Sequence, residues 1–364
     1  MSTANLLADI RARVVVDVDS MDPDVAARHT DLASGQQFSD MTSNQAIAYG
    51  VATRPDRAGL IKAAVKAALP SGGDLVERTE PHIPDDAIDH FTVLLGKAVL
   101  PYLTGRLHAQ TSPLLAYDTE ATIAHAKRLV ATFEAHGTPR SRVCIKIPAT
   151  PEAIVACQYL EKTGIRTLAT CLFSVAQAEA ASEAGCLYIA PYFNELRVHF
   201  DPSVWKEYKD PAREHPMSLV ITDILNVYKQ IGSKTLVMPA SLVTAAEVEG
   251  LASLGINHIT LSGAILDKLA ALSAPASHPE PPAQGTGLQS KLTVTMPVPN
   301  AEQWWVHPAP STTSYLANGG AQLREALAAD IESTRKLDDA LKIFIEMEEK
   351  LRDIMRKEIA ALST

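Results

Sequence analysis

Two short apolar runs carry charges where a buried strand has no ordinary use for one: VVVDVD at 14–19 and VCIKIPA at 143–149. Side chains alternate across a strand. Val14, Val16 and Val18 therefore share one face, and Asp17 and Asp19 share the other with Val15. In the second run Val143, Ile145 and Ile147 lie together, and Lys146 lies opposite them with Cys144. A mid-strand lysine is costly to bury. Desolvation favours its neutral amine, and a neutral amine attacks carbonyl carbon. A carboxylate on another strand facing the same space supplies the proton transfers that imine chemistry requires, and Asp17 is so placed. Two plainer readings are a structural ion pair of Lys146 with a strand carboxylate and magnesium ligation by Asp17 and Asp19, for which no third ligand is evident. The same alternation sets Arg106, His108 and Gln110 apart from Leu107 and Ala109, and Tyr188 and Tyr192 apart from Leu187, Ile189 and Phe193.

Such residues need strands that converge. Strand candidates recur at 13–19, 38–44, 105–112, 142–149, 166–173, 186–193, 234–241 and 258–263. Helix signals fill several gaps: Thr150 before Pro151 with Gly164 as the stop, Ser174 before an Ala-rich stretch ending at Gly185, and Thr244 leading to Gly255. Asp118–His136 reads as a helix with Ile123, Leu129, Val130 and Phe133 on its apolar stripe. Eight strands alternating with helices predict an α/β fold with a parallel sheet, closed as an eight-stranded (β/α) TIM barrel. The G-x-G-x-x-G turn of an open dinucleotide-binding sheet is absent. The barrel is expected over 1–272, a Pro-rich irregular segment over 273–318, and an appended C-terminal helical segment over 319–364. That last segment reads as a cover on the barrel or a homodimer contact.

The composition narrows the partners. Lys and Arg total 33 against 42 Asp and Glu, a net charge of −9, so no basic field exists for nucleic acid or an anionic membrane. No apolar run reaches the length of a membrane span, and Met1-Ser2-Thr3-Ala4-Asn5 lacks the pattern of a signal peptide. Cys144, Cys157, Cys171 and Cys186 stand singly in apolar segments and read as buried free thiols in a reducing compartment. The expectation is a cytoplasmic enzyme acting on a small carbonyl compound.

Together these motifs resemble the transaldolase family over almost the whole chain. Asp17 is similar to the family's first-strand acid/base aspartate, and Asn44 in MTSN to the asparagine of its T-T-N motif. GRLHAQTSPLLAYDTEATIAHAKRL looks like its third-strand segment and the following helix. Lys146 in IKIPAT falls on its Schiff-base lysine, and Thr170 in TCLFS on its active-site threonine. The resemblance implies an eight-stranded barrel and class I aldol chemistry without metal or organic cofactor. It implies that Lys146 attacks the donor carbonyl, Asp17 shuttles protons, Asn44 holds a donor oxygen and Ser241 offers a hydroxyl.

The departures shape the expected substrate. Gln110 stands where transaldolases carry a glutamate, and Tyr192 where they carry phenylalanine; both changes are similar to the bacterial fructose-phosphate aldolases of the same superfamily. Tyr192, with water held by Gln110 and Thr170, is then expected to handle the proton on the acceptor hydroxyl. The family's phosphate-binding arginines fall on Asn194-Glu195 and near Val243, with Arg197 or Lys206 as possible replacements, and Leu168 replaces an asparagine. Loss of two guanidinium groups and gain of a carboxylate disfavour a phosphate. The primary expectation is therefore aldol chemistry on a carbonyl compound lacking the usual sugar phosphate. The alternatives are an ordinary transaldolase moving dihydroxyacetone between sugar phosphates, and a carbonyl-binding homologue without turnover.

Overall fold

Among the residues that the computed structural model describes (5–33, 35–69, 82–275 and 314–362), seven short strands form. They are β1 (Val15–Val18), β2 (Leu107–Gln110), β3 (Val143–Pro148), β4 (Thr167–Leu172), β5 (Tyr188–Pro191), β6 (Leu236–Val237) and β7 (His258–Leu261). Every pairing is parallel: β1 lies against β7, and β2 to β6 are neighbours in chain order. Antiparallel hairpins are excluded by the connections, each of which carries helix over the sheet. The register places Gln110 beside Lys146 and Lys146 beside Leu168, so these three point to the same side.

The helix ends follow the expected chemistry. Thr150 accepts a hydrogen bond from the Ala153 N–H at 3.1 Å, with Pro151 opening the helix Pro151–Lys162. Ser174 and Gln177 form a capping box on Val175–Ala184, which Gly185 ends in the left-handed region. Asp118 caps Thr119–Ala135, and Thr244 with Glu247 caps Ala245–Ala252. Between 45 and 104 the sequence pattern is weak, yet Gln45–Ala52, Ala58–Ala68 and Ile83–Val99 are helical there. All four cysteines are buried free thiols.

One expected strand differs. Over 38–44 the chain makes single-residue parallel bridges, Met41 with both Val18 and Leu107 and Phe38 with Leu103, instead of a ladder. Main-chain bonds still hold it between β1 and β2: the Val18 and Met41 N–H groups donate to the Asp40 and Arg106 carbonyls at 2.9 and 3.0 Å, and those of Thr42 and His108 to the Val18 and Met41 carbonyls at 2.9 and 2.8 Å. Its polar side chains add to these, Asp40 accepting the Arg106 N–H at 2.6 Å and Ser43 donating its hydroxyl to the His108 carbonyl at 2.6 Å. The two strand ladders do not run round as one closed sheet, although the Asn257 and Thr260 N–H groups donate to the Val237 and Pro239 carbonyls at 3.2 Å.

The Pro-rich segment lies almost wholly outside the described residues. Beyond it the helical pattern is divided in two, Ala317–Ala329 and Ile331–Leu362. Asp330 breaks it by accepting the Ser333 N–H at 3.0 Å, as an N-cap does. Upstream, Asn318, Gly319 and Gly320 have φ of 51°, 66° and 82°. A Cβ on Gly320 would stand 3.0 Å from the Pro151 carbonyl oxygen, so this position admits only glycine without a shift. The long helix runs back across the loops that follow the strands. Ser112 donates to Glu348 at 2.6 Å, Glu348 pairs with Arg352 at 3.0 Å, Arg352 reaches Asp85 at 2.7 Å, and Ser333 donates to the Phe173 carbonyl at 3.3 Å. No described helix is long and apolar enough to cross a membrane.

Glu348 is the centre of that clamp, buried between Ser112 and Arg352. Glu348→Ala should lower stability by about 1.5–3 kcal/mol, the worth of charged hydrogen bonds, and speed amide exchange within Ile331–Leu362. Urea unfolding and hydrogen exchange measure both, and an unchanged helix would show that apolar packing alone holds it.

Candidate active site

Lys146 is 1% exposed, in the middle of β3. Burial pushes its amine below the ordinary lysine value, and the charge of Asp19 opposes that shift. Tyr192, just beyond β5, places its ring centroid 5.9 Å from Lys146 Nζ. The Tyr192 hydroxyl lies beside Thr170 and Cys171, and burial holds the phenol well above its usual range, so it is a proton donor at neutral pH. Cys171 has φ of 53°, in the left-handed region, and the β4–β5 register slips there. This break in the strand alternation turns two consecutive residues, Thr170 and Cys171, toward the same tyrosine. Such backbone costs about 1–3 kcal/mol and persists where packing dictates it, often at functional sites.

Two oxygens near the lysine are buried and have no hydrogen-bond partner among the described residues, Thr170 Oγ1 and Gln110 Oε1. Gln110 donates its amide to Gln45 Oε1 at 2.7 Å, and Gln45 donates to the Thr111 carbonyl at 3.0 Å. The carboxamide plane of Gln110 is thereby set with its oxygen left over. Unsatisfied buried acceptors of this kind cost about 1–3 kcal/mol unless a water or ligand supplies a donor. Asn44 caps Gln45–Ala52, accepting the Ile47 N–H at 3.0 Å with its carbonyl oxygen. Its amide nitrogen is the part left for a ligand.

The first-strand carboxylates have different surroundings. Asp17 is fully buried and both its oxygens are engaged, one by the Asp40 N–H at 2.8 Å and one by His258 Nδ1 at 2.9 Å. Burial pushes its carboxyl up to about 6 against the opposing pull of His258. A matching pair lies beside it: Asp40 contacts His108 Nε2 at 2.9 Å, and the Tyr188 ring packs 5.2 Å from His108 and 5.3 Å from His258. Burial alone would raise Asp40, but the His108 bond and charge hold it well below the usual carboxylate range. Asp19 accepts a 2.6 Å hydrogen bond from Thr42, whose hydroxyl is also 2.6 Å from that of Thr260. The carboxylate charge acting on Lys146 is that of Asp19, while the oxygens of Asp17, the residue expected to face the lysine, are taken by His258 and the Asp40 N–H.

The expected substrate-binding residues divide. Ser241, with φ of 64°, lies 2.9 Å from His199 Nε2 through its hydroxyl. Glu195 and Arg197 turn instead to the C-terminal helix, Glu195 pairing with Arg335 at 2.9 Å and Arg197 forking onto Asp339. Lys146, Tyr192, Thr170 and Gln110 therefore converge, and Glu195 and Arg197 form an outer ring with a helix 140 residues away in the chain. Sequence reasoning missed Thr42, Thr260, Cys171 and the Arg335 partner. Asp19 carries a signal in the sequence, since it shares a face with Asp17, though that pattern points only to a metal ligand.

A family model described as transaldolase/fructose-6-phosphate aldolase matches residues 16–353. A transaldolase of Alteromonas mediterranea is 31% identical over 358 residues, covering 98% of this chain and 100% of that protein. A transaldolase of Marinomonas sp. strain MWYL1 is 32% identical over 317 residues, 87% of this chain and 90% of its own. One from Nostoc punctiforme is 30% identical over 360 residues, 98% of this chain and 97% of its own.

A buried amine costs stability that function alone justifies. Its folded pKa is depressed, so folding sheds the proton; the penalty is complete at low pH and fades as pH climbs toward the unfolded value of about 10.4. Lys146→Met should therefore stabilise the fold by about 1–3 kcal/mol, more at pH 6 than at pH 10. Thermal melts at both values test this, and a gain independent of pH would mean that the lysine is not desolvated.

Proposed function

This chain belongs to the transaldolase/fructose-6-phosphate aldolase family, and from that membership we propose that it is a transaldolase, moving a dihydroxyacetone unit between sugar phosphates through an imine on Lys146. It is a class I enzyme of aldol carbon–carbon chemistry. The observation that carries the finer reading is the lysine itself, desolvated in β3 with one carboxylate, Asp19, acting on it and one phenol, Tyr192, over it.

The neutral amine adds to the donor ketone, giving a carbinolamine. Asp19, held by Thr42, passes the protons needed to expel water and form the imine. Cleavage of the adjacent carbon–carbon bond releases an aldehyde, its hydroxyl proton passing through water to the Asp19 carboxylate, and leaves the electron pair on the imine as an enamine. When the acceptor aldehyde enters, the enamine carbon attacks it, Tyr192 delivers a proton to the acceptor oxygen and regains one from Asp19 through water, and hydrolysis of the new imine frees the product and the amine. Gln110 Oε1 and Thr170 Oγ1 hold a water or substrate hydroxyl beside the phenol, and the Asn44 amide donates to a donor oxygen. Asp17, which sequence alone assigned to proton transfer, supports the floor of the site with His258.

The expectation of an unphosphorylated substrate gives way here. It rested on the loss of two guanidinium groups, at Glu195 and Val243, and on Glu195 as an opposing charge, and that carboxylate is compensated by Arg335. The near full-length likeness to proteins named transaldolase favours the phosphorylated reading. We further propose that the strands, the bridging segment at 38–42 and the bonds between 237–239 and 257–260 close as an eight-stranded barrel over 1–272. The segment over 319–364 then covers its mouth.

Borohydride added during incubation with fructose 6-phosphate should leave a reduced three-carbon adduct on the peptide containing Lys146. Tyr192→Phe should lower turnover about 10²–10⁴-fold while that adduct still forms. Label on a different lysine, or full turnover by Tyr192→Phe, contradicts these assignments.

A further inference from the structure

The loops beyond β4 and β5 carry an aromatic floor that leads away from the reacting lysine. Phe173 packs edge-on against Tyr192 with ring centroids 5.9 Å apart, and Lys336 Nζ of the C-terminal helix stands 6.0 Å from the Phe173 ring. On the neighbouring loop Phe193 stacks on His215 at 3.8 Å, Tyr208 meets His215 at 4.9 Å, and Lys206 Nζ lies 4.8 Å from the Tyr208 ring. The charges of both Lys336 and Lys206 act on His215, which caps the positive end of helix Pro216–Ile231. Two lysines from different segments thus act on one imidazole, which burial and their charges push down to about 4 and keep neutral.

The basic groups differ in their partners. Arg197 is forked onto Asp339, and Arg335 is held between Glu332 and Glu195. Lys336 has a looser neighbour: Glu332 Oε1 approaches it at 3.7 Å, and that same oxygen already accepts from Arg335 at 2.5 Å. Its side chain is 20% exposed, and burial pushes its amine below the ordinary lysine value against the pull of Glu332 and Glu195. Phe173 and Tyr192 link this ammonium to Lys146 through successive contacts of about 6 Å.

We propose that Lys336, with Lys206 and His215 beside it, anchors the terminal phosphate of the sugar while its carbonyl reacts at Lys146. This rests on the sugar-phosphate reading above and adds the residues that select for it. The C-terminal helix then contributes to recognition as well as covering the site. Glu195 acts by holding Arg335, and so the end of that helix, in place.

The test compares imine formation at Lys146 from fructose 6-phosphate and from fructose, each as a second-order rate of borohydride trapping in the full chain. In Lys336→Met the phosphate-to-free-sugar ratio should fall about ten- to a hundredfold, as expected for loss of a charged contact. Lys336→Arg should keep most of it. The ratio in the unmodified chain should fall with added sodium chloride, and in Lys336→Met it should respond much less. Lys336→Gln and Lys206→Met give the same readout should the methionine variant fold poorly. A ratio unchanged in all of these, with label still on Lys146, overturns the inference and leaves the imine mechanism standing. No label on Lys146 with either sugar overturns the mechanism, and this inference with it.

Discussion

A lysine buried in the middle of a parallel sheet is the constraint on which the rest depends. Its charged form cannot be accommodated without a partner, and its neutral form is reactive. The structure balances the two with burial on one side and Asp19 on the other. Asp19 is in turn held by Thr42, and Thr42 touches Thr260 of β7, so the charge that steadies the amine is fixed by two neighbouring segments. The left-handed Cys171 belongs to the same balance, because it brings Thr170 and a thiol against Tyr192 at the cost of regular strand geometry.

Below this layer the interior is polar where a barrel-like core would ordinarily be aliphatic. Asp17 with His258 and Asp40 with His108 are buried acid–histidine pairs, bracketed by Tyr188. Each carboxylate also takes a backbone N–H, from Asp40 and Arg106 respectively. Both carboxylates are fully engaged, which orients the two histidines, while buried His108 Nδ1 has no hydrogen-bond partner among the described residues. The C-terminal helix is tied to the loops that follow the strands, Glu348 to Ser112, Arg335 to Glu195 and Asp339 to Arg197.

Much of this was legible from residue order, and the failures share a cause. Alternation located Lys146, Gln110 and Tyr192, and the caps at Thr150, Ser174 and Thr244 are where side-chain chemistry put them. Alternation assigns a face but no depth. Asp17 and Asp19 share a face, but Asp17 sits within β1 opposite Thr260 and Asp19 lies just beyond its end. The segment expected as a strand at 38–44 lies parallel between β1 and β2 and bonds to both through its main chain, but as isolated bridges. Glu195 was read as a repelling charge because its partner, Arg335, comes from an element with no local trace in that loop. Long-range pairing is invisible to periodicity.

The most direct test of the account is the pH dependence of imine trapping at Lys146. Trapping needs the neutral amine, so its rate should rise through an inflection below the ordinary lysine value of about 10.4. Asp19→Asn removes the charge that favours the ammonium, and should move that inflection further down even as overall proton transfer slows. Asp17→Asn should leave it in place. An inflection near the ordinary value, or one that moves with Asp17 and ignores Asp19, would contradict the account.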